Sequence, residues 1–290
     1  MTGEQNSTVD VGPVLAETLA LLTVRPDGAG EERWTGDAPN WFGNHLFGGF
    51  VIAQAIMAAT RNAPEARRLH SMHAYFLRPA SAADAISYRV RPIREGRSFT
   101  TRHLEARQGG KALLDMSCSF TADTDGYLYD LPARQSVPSP AALAVERGPG
   151  PWVAAHLGPT PPAADGTRES THRMWFRVPV ELPDDVHLHT ALIGFATDWT
   201  GIGGRPLHLE GDTRGMVSLD HAVWFHRPAR ADEWLFYDVH SLVNAGGRGL
   251  LRGCMRDPEG RVVVSVAQEM RLTPVDPSEA MRTGRVATCK

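Results

Sequence analysis

The sequence predicts an α+β protein made of two tandem copies of one unit. Each copy is a curved antiparallel sheet wrapped around a buried helix. Three observations predict it. First, the chain repeats itself: "MHAYFLRPA" at 72–80 returns as "DHAVWFHRPAR" at 220–230. The pairs His73/His221, Arg78/Arg227, Arg97/Arg248 and Lys111/Arg261 lie 148, 149, 151 and 150 residues apart. A nearly constant offset over about forty residues marks a duplicated supersecondary unit. Second, "FVIAQAIMAA" (50–59) is apolar on every side except for Gln54, the pattern of a helix buried all round. Third, the segments that follow alternate with period two and are separated by glycine turns, without βαβ alternation.

The elements follow in order. Gly48 and Gly49 precede the helix, where free backbone N–H groups point outward and glycine permits close approach. "ISYRV" (86–90) alternates Ile86, Tyr88 and Val90 on one face; "KALLDMSCSF" (111–120) alternates Ala112, Leu114, Met116, Cys118 and Phe120. "QGGK" (108–111) is a hairpin turn, and "DPEGR" (257–261) serves the second copy. "HTALIGFAT" (189–197) is the second unit's helix, and Gly201, Gly203 and Gly204 end it. The units are expected at 14–121 and 171–274. The segment between, 122–170, holds eight of the 21 prolines and reads as a connection, with Trp152 able to order it against the surface.

Composition bounds the function. The 290 residues suit two domains of roughly 100–150 residues each. The net charge is −3 with mixed signs, so no nucleic-acid footprint is expected. The opening "MTGEQNSTVDVGP" lacks a charged n-region followed by an apolar stretch, and no run approaches a membrane span. Cys118, Cys254 and Cys289 fit neither a zinc pattern nor a disulfide framework. The expectation is a cytoplasmic protein with reduced thiols.

Several candidates stand on the residues themselves. In "RVVVSVAQEMRL", Val262, Val264, Val266, Gln268, Met270 and Leu272 share a strand face, and Gln268 is its single polar member. A buried amide needs partners; a structural role is the plainer reading. Its counterpart in the first copy is Cys118, which cannot do the same work. Asp198 stands at the end of its helix, where a carboxylate opposes the helix dipole, a placement with a cost. A solvated helix-end aspartate is the plainer alternative. Arg97 and Arg248 follow glycines in matching turns and suit a phosphate group, or simply solvent. The pairs His70/His73 and His187/His189 lack a third ligand at metal spacing. There is no G-x-S-x-G elbow, P-loop or dinucleotide fingerprint.

The runs "NHLFGGFVIAQAIMAAT", "LHSMHAYFLRP", "GRSFTTR", "DHAVWFHRP" and "SVAQEMRL" fall in one order over roughly residues 14–274, and together they resemble the acyl-CoA thioesterase II family. The resemblance implies a double hotdog fold and a site of one Asp, one Ser or Thr and one Gln in the second unit. It carries these onto Asp198 in "FATDW", Ser218 in "VSLDHAVWFH" and Gln268 in "SVAQEM". Two stretches depart from the family pattern, "WTGIGGRP" after Asp198 and "PNWFGNHL" before Gly48.

The implied reaction is hydrolysis of an acyl-CoA thioester in fatty acid metabolism by water attack. Asp198, Ser218 and Gln268 would hold and activate the water, and Gly48 and Gly49 would offer N–H groups to the oxyanion. No metal or redox cofactor is required, and coenzyme A enters with the substrate. A homodimer or homotetramer is expected, with neither nucleic acid nor membrane as partner. Two alternatives stand beside it. A hotdog dehydratase or hydratase acting on 3-hydroxyacyl thioesters would use His221 with Asp220, or His45. A non-catalytic acyl-CoA-binding relative would not need Asp, Ser and Gln together.

Overall fold

The structure, a computed structural model, describes residues 12–28, 32–39, 45–64, 66–82, 84–122, 126–130, 137–148, 150–158, 171–199 and 214–274. Helix α1 (Gly12–Leu22) and strands β1 (Arg25–Pro26) and β2 (Arg33–Gly36) lead to helix α2 (Gly48–Thr60). Four strands follow: β3 (Arg68–Phe76), β4 (Ile86–Glu95), β5 (Phe99–Gln108) and β6 (Lys111–Thr121). After β7 (Glu146–Arg147) and β8 (Val153–His156) the pattern returns. It runs β9 (Thr171–Arg177), α3 (Val186–Thr197), β10 (Arg214–Ser218), β11 (Asp220–Phe225), β12 (Leu235–Ala245), β13 (Arg248–Arg256) and β14 (Val262–Pro274).

The strands make one antiparallel sheet. Its order is β1-β2-β4-β5-β6-β3-β11-β14-β13-β12-β9-β8-β7, and β10 pairs with β14 off this path. The seam is β3 against β11. Outward from it the order is β6, β5, β4, β2 on one side and β14, β13, β12, β9 on the other. The same unit is therefore laid out twice about a local twofold, the double hotdog arrangement.

The core explains the sequence patterns. From Gly49 to Thr60 every residue of α2 except Met57 is buried. Each large apolar side chain removed from water contributes about 1.5–3 kcal/mol. Gln54 is satisfied: it donates to the Leu21 and Asp37 carbonyls and accepts from the Tyr88 hydroxyl. It is a structural amide. Ile86, Tyr88 and Val90 of β4 are buried in alternation, as are Leu114, Met116, Cys118 and Phe120 of β6. Gly109 and Gly110 join β5 to β6 with φ of 54° and 75°. Two successive positive φ values suit a tight hairpin that follows the strands' twist, and glycine adopts them without strain.

Two features differ from the sequence reading. The proline-rich connection contributes β7 and β8, which extend the sheet beyond β9. Trp152 within it is fully buried, 5.3 Å from the Phe176 ring and 5.5 Å from the Trp199 ring. Prolines limit ladder length but leave room for these short edge strands. The second difference lies in the repeated phrase. His73 is exposed, edge-on to Trp224 at 5.2 Å, whereas His221 is buried. Buried Met72, Ala74 and half-buried Phe76 on β3 correspond to buried His221, Val223 and Phe225 on β11. The counterpart of His221 is thus Met72. A one-residue slip in strand register moves a side chain to the other face.

Candidate active site

Asp198 caps the C-terminus of α3 with φ −74° and ψ −6°, and it is only 4% exposed. A carboxylate there faces the negative end of its own helix dipole. The compensation comes from the other unit. The N-cap of α2, Phe47, supplies no side-chain cap. The first-turn N–H of Gly49 instead donates to the Asp198 carboxylate. Asp198 therefore caps α2 from across the interface, at the positive end of that dipole.

This approach requires the glycine pair. A Cβ at Gly48 would lie 2.7 Å from Asp198 Oδ2 and 2.9 Å from the Phe76 ring. A Cβ at Gly49 would lie 2.2 Å from the Phe195 carbonyl oxygen of α3.

Two further side chains close on the carboxylate. Ser218 ends β10, and Gln268 lies on the neighbouring strand β14, fully buried among the valines of its row. The Gln268 amide donates from Nε2 to Asp198 Oδ1 at 2.7 Å and to Ser218 Oγ at 2.7 Å. Ser218 Oγ donates to Asp198 Oδ1 at 3.3 Å. The three residues that the sequence singled out, up to 70 positions apart, form a closed triangle of hydrogen bonds.

Burial dominates the electrostatics of Asp198. It pushes the carboxyl from 3.8 up to about 6, against the opposing effect of hydrogen bonds from Gln268, Ser218 and Gly49. A carboxylate poised near neutrality is ionised at pH 7 yet basic enough to accept a proton.

The other candidates lie apart. Gly49 gives its N–H to Asp198, which changes the oxyanion role expected of it. Arg97 is exposed, and its carbonyl accepts from Arg67. It lies near the C-terminal end of α2, where the Ala59 carbonyl and that of Asn62, just past the helix, accept from Arg102 of β5; Asp198 faces the opposite end. Arg248 is exposed and donates from Nε to Glu269 at 3.0 Å. Neither arginine joins the buried triangle.

Asp220 and His221 point to opposite faces: Asp220 accepts from the Glu269 N–H, while His221 turns into the core. His45 is exposed in an isolated bridge with Ser81. Neither arrangement gives the acid–base pair of a dehydratase. Among the described residues no cluster of three or more His, Cys, Asp or Glu could hold a metal. Gly201, Gly203 and Gly204, and most of the two departing stretches, lie outside the described residues.

Models of the acyl-CoA thioesterase N-terminal and C-terminal domains match residues 37–121 and 128–272. The chain belongs to the acyl-CoA thioesterase family. Within it, the acyl-coenzyme A thioesterase 8 of Rattus norvegicus is 31% identical over 252 residues, covering 77% of this chain and 79% of that protein. The acyl-CoA thioesterase 2 of Haemophilus influenzae is 30% identical, covering 77% and 86%. The solved structure of a TesB protein from Mycobacterium avium subspecies paratuberculosis is 32% identical. It covers 90% of this chain and all of that one, with a TM-score of 0.76.

Sequence reasoning missed Thr197, and it weighed His221 only as a dehydratase residue without its inward turn toward this site. The signal was present: His221, Val223 and Phe225 alternate on one face of β11.

Proposed function

We propose that this chain hydrolyses acyl-CoA thioesters by direct attack of water at a site built around Asp198. One observation carries the reading: a single buried amide, Gln268, bridges a buried carboxylate and a hydroxyl whose positions are those expected from the family. In this mechanism Asp198, its carboxylate oriented by Gln268 and Ser218, takes a proton from a water beside it. The water oxygen bonds to the thioester carbonyl carbon. Collapse of the tetrahedral intermediate breaks the C–S bond, and the proton passes to the leaving sulfur. Free acid and CoA thiol result.

Because Gly49 serves the carboxylate, the oxyanion role falls to the Gly48 N–H. The reaction as drawn uses no cofactor beyond the coenzyme A of the substrate. Incubation with a panel of acyl-CoAs and detection of free thiol tests the reading. At least one should release thiol, and Asp198→Ala should abolish that release. Full turnover in Asp198→Ala would refute the site.

The same reading includes self-association. Tyr75 and Trp224 are exposed on the outer face of the seam strands, a surface suited to a second copy. Light scattering should give a multiple of 31.6 kDa, and a constant monomer mass over a wide concentration range would refute it. The free thiols Cys118 and Cys254 accord with the cytoplasm. No helix among the described residues is long and apolar enough to cross a membrane.

A further inference from the structure

The two units differ at one pair of facing positions. In the first, Met72 on β3 pairs directly with Cys118 on β6, and both are buried. In the second, the ladder runs through Ala222 and Ala267, and one step further His221 of β11 stands beside Gln268 of β14. An apolar pair has become a polar pair in an equally buried place. Buried polar groups carry a desolvation cost that needs compensation.

The hydrogen bonds leave little freedom. Both N–H groups of the Gln268 amide are used, one on Asp198 and one on Ser218. Its Oε1 must therefore point the other way. The Gln268 side chain acts on the His221 ring from the neighbouring strand, short of a full hydrogen bond. Among the described residues, Gln268 Oε1 and His221 Nδ1 have no other partner. On the far side of the ring, Nε2 lies 2.7 Å from Thr197 Oγ1, which is also 2.6 Å from the Gly194 carbonyl.

Burial pushes the imidazole down to about 3, so the ring is neutral and carries one hydrogen. With that hydrogen on Nε2, two buried acceptors would face each other. With it on Nδ1, the ring donates to Gln268 Oε1. Nε2 then accepts the single hydrogen of the Thr197 hydroxyl, which turns from the Gly194 carbonyl to the ring.

We propose that His221, held by Thr197, is a positioning residue: through Nδ1–H to Oε1 it fixes the orientation of the Gln268 amide, so that both amide hydrogens face Asp198 and Ser218. An unrestrained amide could rotate by half a turn and present an oxygen to the carboxylate. Thr197 directly precedes Asp198, so one helix end anchors both the base and the relay that orients its donor.

The inference rests on Gln268 serving the proposed hydrolysis. The test is a double-mutant cycle on turnover of the best acyl-CoA, with His221→Met, Gln268→Ala and the double variant, plus His221→Asn. Methionine is the residue in the equivalent apolar position, and asparagine keeps an N–H near the place of Nδ1. His221→Met should lower kcat by roughly 10- to 100-fold through misorientation, with KM little changed. It should cause no further loss in the Gln268→Ala background, and His221→Asn should recover most of the kcat.

Melting curves confirm that each variant is folded; if His221→Met does not fold, His221→Leu, which also lacks the donor, alone and combined with Gln268→Ala completes the cycle. Losses that multiply independently would overturn the inference, as would wild-type kcat in His221→Met. If Gln268→Ala itself kept full kcat, the functional reading would fall with it. A slow Gln268→Ala beside a normal His221→Met would sink the positioning role alone.

Discussion

Replacing Asp198 by Asn should stabilise the protein at neutral pH and leave it inactive. The carboxyl titrates at about 6 in the fold and at 3.8 ordinarily. A buried acid with a raised value binds its proton more tightly when folded. Its contribution to stability is therefore present at low pH and is lost as pH rises from the ordinary value through 6. Over that window the ionised group destabilises the fold by about 3 kcal/mol, nearly all of it in force at pH 7.5. At pH 4.5 only about 1 kcal/mol has been lost.

Asparagine keeps the oxygen that accepts from Gln268 and Ser218, but it turns an amide toward the Gly49 N–H. That mismatch carries a cost independent of pH, so the change in the gap is the signal. Relative to wild type, the variant should gain about 2 kcal/mol between pH 4.5 and 7.5, or about 4–6 °C of Tm. Calorimetry of both proteins across this range measures it. A gap in Tm that did not move with pH would refute the burial account of the carboxyl.

Other outcomes follow from the same geometry. With Asp198 as base, kcat/KM should fall as pH drops through about 6, because the protonated acid cannot accept a proton; a profile flat to pH 5 would contradict this. Gly49→Ala drives a methyl onto the Phe195 carbonyl. It should destabilise by roughly 3 kcal/mol or more in urea unfolding, since overpacking of backbone against backbone cannot relax. Cys118→Ala should cost about 1–2 kcal/mol and leave turnover intact, while Gln268→Ala should reduce turnover by about 100-fold with a smaller change in Tm. Loss of turnover in a folded Cys118→Ala would bring a thiol into the chemistry.

Much of the fold was legible because its signals are local. The all-round apolar run of α2 and the alternation in β4 and β6 each need one segment to be read, and each is buried as written. The triangle was legible in part. Gln268 stood out as the polar member of an apolar row and Asp198 as a carboxylate at its helix's C-terminal end, while Ser218 came from the family resemblance alone.

What escaped depends on partners far along the chain. Nothing near Asp198 tells that Gly49, from the other unit, donates to it. The inward turn of His221 was hidden by the recurring His-Ala letters, which align the two copies one residue out of step. The strands β7 and β8 were hidden because prolines outweighed the apolar letters around Trp152.

The capping of α2 by Asp198 has a consequence for biosynthesis. Helix α2 emerges from the ribosome with its first turn uncapped, and the cap arrives about 150 residues later. Gln268 comes later still, on β14, the last strand of the described sheet. A nascent chain that ends with the first unit holds none of Asp198, Ser218 and Gln268. The site is thus completed only when β14 has been made, and a product truncated before it would lack the means to consume thioesters.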